Sequence, residues 1–207
     1  MADEIPLFPL GTVLFPGGVL ALRVFETRYV DMVRERLRAD APFGVCRITR
    51  GAEVGEPAEH EPVGCTARII DWDMPQPGVL GIRAVGGERF RVLGARTERG
   101  LIRARVEPIA PDVRAAPPEP LAPSVELLRR GLARLSALDS GHAVLPPYEF
   151  DSAGWVANRL AELLPLPAAQ RQRLMELDDP VERLRQVDAL LHEQATRPGP
   201  PQPPDEG

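Results

Sequence analysis

The tetrapeptide Asp139-Ser140-Gly141-His142 places a carboxylate, a hydroxyl and an imidazole within four positions. These are the side-chain types of an acyl-transfer triad, but a triad needs them to converge from separate elements. Neighbours in one turn do not converge that way, so the segment reads as a loop. Ser124, Ser136 and Ser152 stand in no nucleophile-elbow pattern. His60, His142 and His192 are far apart, with no pair one helical turn apart to grip a metal ion. Cys46 and Cys65 are too few for a disulfide framework and too isolated for a zinc site, so they read as small buried strand residues. Asp178 and Asp179 are adjacent carboxylates, but a helix-start signal at Asp179 accounts for one of them. No catalytic, metal-binding or cofactor-binding set is expected.

The basic residues narrow the chemistry further. All 25 are arginine. Without lysine these residues supply no nucleotide-phosphate lysine, no Schiff base and no Ser-Lys dyad. The net charge is −5, whereas a general nucleic-acid binder shows a basic excess. No apolar run approaches the ~20 residues of a membrane span. The acidic, proline-interrupted start MADEIPLFPL does not resemble a signal peptide, so a cytoplasmic protein without a membrane partner is expected.

Two residue groups remain as binding candidates. Phe8, Phe15, Phe25 and Tyr29 fall within the first thirty positions. They either line a groove for an apolar side chain or form the core. Among them stand Arg23, Glu26 and Arg28, which either rim a peptide site or reflect the preference of a carboxylate for a helix N-terminus. The second group is the one basic concentration, seven arginines from 83 to 105 against Glu88 and Glu98. Strand alternation puts Arg89 with Arg91, and Arg103 with Arg105, on common faces. That stripe is either an RNA phosphate track or a solvated face with cross-strand ion pairs. Only Phe90 interleaves it, a poor supply of stacking surface.

The elements that position these residues fall into two parts. Residues 1–107 read mainly as strands: Leu20–Val24, Phe43–Ile48, Val63–Asp73, Val79–Val85, Arg89–Ala95 and Leu101–Glu107. Several breaks are Gly- or Pro-rich, at Gly17-Gly18, Pro75–Gly78 and Gly86-Gly87. The pattern suggests a β-barrel or sandwich. Glu26 to about Ala39 breaks it with helical spacing of Tyr29 or Val30, Val33 and Leu37, which predicts one helix packed on the sheet. Six prolines within 108–123 read as a linker. Four helices follow in 124–196. The first has Ser124 as N-cap, the second ends near Pro165, the third is short, and the fourth starts with Asp179, Pro180 and Glu182. The Pro-rich 197–207 reads as a disordered tail.

The string IPLFPLGTVLFPGGVLALRVFETRYVDM, residues 5–32, resembles the opening of the substrate-binding N-terminal domain of Lon-type ATP-dependent proteases. Pro6–Leu10, Val13–Gly17, Phe25-Glu26 and Arg28-Tyr29 carry the match. Val63–Ala67, Gly87–Val92, Leu163–Leu166, Gln172–Leu174 and Arg183-Leu184 extend it. Where such domains usually carry a histidine, this chain has Arg23, a permanent cation expected beside Glu26. The resemblance implies an α+β fold: a PUA-like β-barrel with one packed helix over 1–119, then a C-terminal α-helical bundle over 120–196. It implies a non-catalytic module that binds unfolded or extended polypeptide, or a specific protein partner, without the ATPase and peptidase modules of the full protease. Phe15, Arg23, Phe25, Glu26, Arg28 and Tyr29 are the expected peptide-binding residues. The alternative is an RNA-binding PUA-like module using Arg89, Arg91, Arg103 and Arg105. Oligomeric state stays open.

Overall fold

A computed structural model describes residues 3–137 and 144–196. Asp139–His142 and the 197–207 tail therefore lie outside the described residues. Six strands and five α-helices give a mixed α+β fold. The strands are β1 (Asp3–Leu10), β2 (Val19–Val24), β3 (Phe43–Arg50), β4 (Glu59–Gln76), β5 (Val79–Glu98) and β6 (Leu101–Pro108). The helices are α1 (Thr27–Ala39), α2 (Ala122–Ala137), α3 (Ala153–Leu163), α4 (Ala168–Glu176) and α5 (Pro180–Thr196).

The sheet order is β2-β5-β4-β3-β1-β6, and β6 also pairs with β5. Strands β5, β4, β3, β1 and β6 thus close a circuit of hydrogen-bonded neighbours, with β2 attached outside it. β1 belongs to no strand run read from the sequence, because Pro6 and Pro9 interrupt it. Both prolines nevertheless sit inside the ladder, opposite Arg103 and Cys46.

Gly86-Gly87 does not break the chain into two strands. β5 runs through them and changes partner there, pairing with β2 up to Val85 and with β6 from Phe90. The glycines answer to packing. The loop after β1 crosses β5 at this point, with Gly17 N–H donating to Gly86 O and Gly86 N–H donating to Gly18 O, each at 2.8 Å. A Cβ on Gly86 would lie 2.1 Å from Phe15 O.

α1 follows its amphipathic pattern. Tyr29, Met32 and Val33 are buried against the β2, β3 and β5 residues Leu20, Val24, Phe43, Leu80 and Ile82. Val30 and Leu37 are only half-buried. Ser124 is not an N-cap: α2 starts at Ala122 after a 3-10 turn at Glu119–Leu121. Its buried hydroxyl instead donates to Asp188 on α5. α5 starts as its sequence predicts, with Asp179 Oδ1 accepting from Val181 N–H at 2.8 Å and Glu182 N–H at 3.2 Å. Phe15, Val13 and Val63 from the strand half lie in the same apolar cluster as Leu128, Val156, Leu160, Leu174 and Leu184 from the helices.

Gly86→Ala should therefore destabilise the fold by about 1–3 kcal/mol, because backbone must move to admit the methyl group. Gly94→Ala, on the same strand with nothing within 4 Å of its Cβ position, should change stability by less than about 0.5 kcal/mol. Urea unfolding of the two variants tests this; equal midpoints would count against the packing role of Gly86.

Candidate functional site

The residues singled out at the β2–α1 junction do not form one cluster. Phe15 is buried beneath the helices, and Tyr29 is buried on the inner face of α1, stacked on Phe8 at 4.0 Å and 10°. These are core residues. Arg28 lies over the Tyr29 ring at 4.7 Å, donates to Gly100 O at 2.8 Å and to Gly55 O, and pairs with Glu26 at 3.0 Å. It ties the helix start to two loops. Arg23 does not pair with Glu26. Strand alternation on β2 turns Leu20, Leu22 and Val24 toward α1 and Arg23 to the other face. There it lines a depression of about 380 Å³ with Asp71, Asp73 and Arg83. Of the aromatic group only Phe25, 55% exposed, is free to meet a partner.

The arginine stripe is also divided. Arg91 and Arg105 are exposed, but Arg89 is 5% exposed and faces the helical half, not solvent. Strand alternation gives a side chain a face but not what covers it, and here the end of α4 covers Arg89. Arg89 donates to Met175 O and Leu177 O, each at 2.9 Å, and lies 3.5 Å from Asp112 and 3.3 Å from Asp178. Arg183, 1% exposed, meets Asp112 with both terminal nitrogens, one at 2.9 Å. It also reaches Asn158 Oδ1 at 3.0 Å, Leu174 O at 3.1 Å and Leu177 O. Two guanidiniums thus satisfy the carbonyls that end α4, the natural place for cations at a helix C-terminus. Burial, then the neighbouring Arg183, pulls Arg89 below the usual arginine range. Asp112 sits in the Pro-rich 108–123 segment, which is no free tether. Ile109 N–H donates to Arg89 O at 2.9 Å, and Ala115 O accepts from Ala153 N–H at 2.8 Å.

A third buried arginine holds the loop after β1. Arg159 donates to Pro16 O at 2.8 Å and pairs with Glu162 at 2.9 Å. Burial pushes the Glu162 carboxyl up to about 7, against the lowering influence of Arg159, Arg171 and a backbone hydrogen bond from Phe15. The cysteines are buried and unbonded. Burial, with Glu61 nearby, raises Cys46 to about 12, and burial raises Cys65 as well, so neither is a poised nucleophile. Among the described residues no three of His, Cys, Asp and Glu converge as metal ligands.

The open site lies elsewhere. The β4–β5 hairpin turns at Pro77-Gly78, where Gly78 takes φ +82°. Trp72 stands opposite Ile82 on the face toward α1, and Asp71 and Asp73 face away with Arg83 and Gly81. Trp72, Met74, Val79 and Leu80 on the hairpin, with Val30 and Leu37 on α1, enclose a groove of about 600 Å³ rimmed by Arg34 and Arg38. Trp72 is 56% and Met74 58% exposed. Two large apolar side chains held in water beside an open groove make this the candidate interaction surface among the described residues. The alternation Trp72-x-Met74 stands in the sequence, but alternation cannot tell a covered apolar face from an uncovered one.

A family profile described as the ATP-dependent protease La (LON) substrate-binding domain matches residues 4–193. Lon protease 2 of Herpetosiphon aurantiacus is 27% identical over 201 residues, covering 92% of this chain and 24% of that protein. Cereblon of Gallus gallus is 33% identical over 108 residues, 50% of this chain and 23% of that protein. The chain spans about a quarter of the length of the Lon proteases it matches. A crystal structure of a Lon N-terminal domain protein from Xanthomonas campestris superposes with a TM-score of 0.74 at 38% identity, covering 90% of this chain and 98% of that one. The N-terminal domain of Mycobacterium avium complex Lon protease shares the fold, with a TM-score of 0.62 at 16% identity and coverage of 92% and 99%.

Removing Asp112 leaves two buried guanidiniums sharing no carboxylate between them. Asp112→Ala should cost about 3–5 kcal/mol, read by urea unfolding; a loss under about 1 kcal/mol would show that the junction is not electrostatic. The raised Glu162 carboxyl has a signed consequence. The folded protein holds a proton that the unfolded chain releases above the ordinary 4.5, so stability falls as pH rises from 4.5 to about 7 and is flat beyond. Glu162→Gln should flatten that slope; an unchanged slope would assign it to another group.

Proposed function

We propose, from the premise that the chain belongs to the family of ATP-dependent protease La (LON) substrate-binding domains, that it is a non-catalytic, cytoplasmic recognition module. It takes extended or partly unfolded polypeptide into the groove between α1 and the β4–β5 hairpin. The observation that carries this reading is the pair Trp72 and Met74, exposed together over an open apolar groove. Phe25, exposed where β2 meets α1, is a second point of apolar contact, with Arg23 and the Glu26–Arg28 pair as polar neighbours in the chain. Phe15 and Tyr29 act through the fold that holds these positions.

The finer architecture belongs to the same reading. The closed circuit of β5, β4, β3, β1 and β6 is a PUA-like barrel, and residues 120–196 are a helical bundle seated on it. The lysine-free sequence offers neither a nucleotide-phosphate lysine nor a Ser-Lys dyad, so these residues grip a chain and leave its cutting to another module. The RNA reading is weakened because Arg89 is taken up by helix carbonyls and Arg103 by Glu35 and Glu98.

The test is binding of a permanently unfolded polypeptide, such as reduced and carboxymethylated ribonuclease, at two salt concentrations. Trp72→Ser with Met74→Ser should weaken binding by at least about tenfold while leaving the thermal midpoint unchanged, because both side chains are solvent-exposed in the free protein. Arg91→Glu with Arg105→Glu should leave it unaltered. Intact binding by the first variant would refute the groove, and oligonucleotide binding that collapses with salt would favour the RNA reading.

A further inference from the structure

The groove has a chemical bias beyond apolarity, and its hairpin wall has an open edge. β3 begins at Phe43, opposite Ala67, so among the described residues β4 has no second strand neighbour from Arg68 to Gln76. At Trp72 the backbone N–H is taken by a side chain of its own strand, donating to Asp71 Oδ1 at 2.9 Å. Such local acceptors serve amides that a neighbouring strand does not reach. Arg68 fixes one end of the groove by donating to Asp40 O at 2.7 Å, which holds the C-terminus of α1 beside β4. Of the rim cations, Arg34 has only an exposed contact to Asp31 at 3.6 Å, and Arg38 makes no ion pair among the described residues. The acids nearest in sequence on the hairpin, Asp71 and Asp73, are on its opposite face. The groove therefore presents apolar surface, two exposed guanidiniums and an unpaired strand edge together.

We infer that the occupant is an extended polypeptide segment with a large apolar residue flanked by acidic ones, which adds to the β4 edge as a strand. This rests on the groove reading above and narrows it to a substrate class. The backbone of the segment bonds the 68–76 edge, displacing the Asp71 carboxylate from the Trp72 amide. Its apolar side chain enters between Trp72, Met74 and Leu37, and its carboxylates meet Arg34 and Arg38. Main-chain bonds give such strand addition its affinity, and side-chain pockets give it selectivity.

The test uses the full chain carrying Trp155→Phe, so that Trp72 is the one tryptophan and reports occupancy by fluorescence. Three short synthetic peptides differ only in the residues flanking a central phenylalanine: glutamate, glutamine or lysine. At low salt the glutamate peptide should bind about tenfold tighter than the lysine peptide. Arg34→Glu with Arg38→Glu should invert that order. N-methylation of the alternate amides along one edge of the glutamate peptide should abolish binding, while methylation along the other edge should not. Equal affinity for the three peptides, or equal tolerance of methylation on both edges, overturns the inference and leaves the groove in place. Failure of every peptide, together with a Trp72 signal that unfolded ribonuclease does not move, overturns the groove itself.

Discussion

Two arginines, one from a strand and one from a helix, end helix α4 and share a carboxylate from the segment that joins the strand and helical halves. Asp112 meets Arg183 at 2.5 and 2.9 Å and Arg89 at 3.5 Å. Burying two guanidiniums is tolerable only when charge and donor capacity are both met. Here Asp112 and the carbonyls of Leu174, Met175 and Leu177 meet them. The strand half thus supplies a cation that the helical half needs, and the helical half supplies acceptors that the strand half needs. Neither surface is complete without the other.

That junction decides what the molecule can show to a partner. The face of β5 carrying Arg89 is closed by α4, and the loop after β1 is closed by Arg159 and Glu162 of α3. The Gly86 contact holds that loop against β5 from the strand side. What is left open lies at the far end of β4 and β5, where the hairpin runs past β3 and leans toward α1. The groove is therefore built on strands and a helix anchored by the core, as a precise binding surface requires.

Much of this was legible in the residue order. The spacing of Tyr29, Val33 and Leu37 and the Asp179-Pro180 start are local signals, written within a few positions, and helices α1 and α5 follow them. β1 was hidden because Pro6 and Pro9 argue against a ladder strand, and only the pairing with β3 and β6 overrides them. The Gly86-Gly87 pair reads as a break in sequence, but Gly86 admits the close approach of the loop at Phe15–Gly18, and Gly87 lies against Thr66 of β4. Arg89 was the plainest misreading: a two-residue period assigns a face but says nothing about what covers it. Asp112 and Arg183 are 71 positions apart, and no local pattern joins them. Trp72 falls in the strand read over Val63–Asp73 and Met74 just beyond it, yet their exposure depends on β3 beginning only at Phe43, opposite Ala67, a fact of topology.

Hydrogen exchange with and without a bound unfolded chain tests the account most directly. Carboxymethylated ribonuclease added to the full chain should slow exchange in residues 30–38 and 68–80, the two walls of the groove. The α4 terminus and the Asp112 segment should stay as protected as before, because their acceptors are already taken. Slowed exchange confined to β6 and the exposed arginines, or none at the hairpin while the chain is bound, would contradict it.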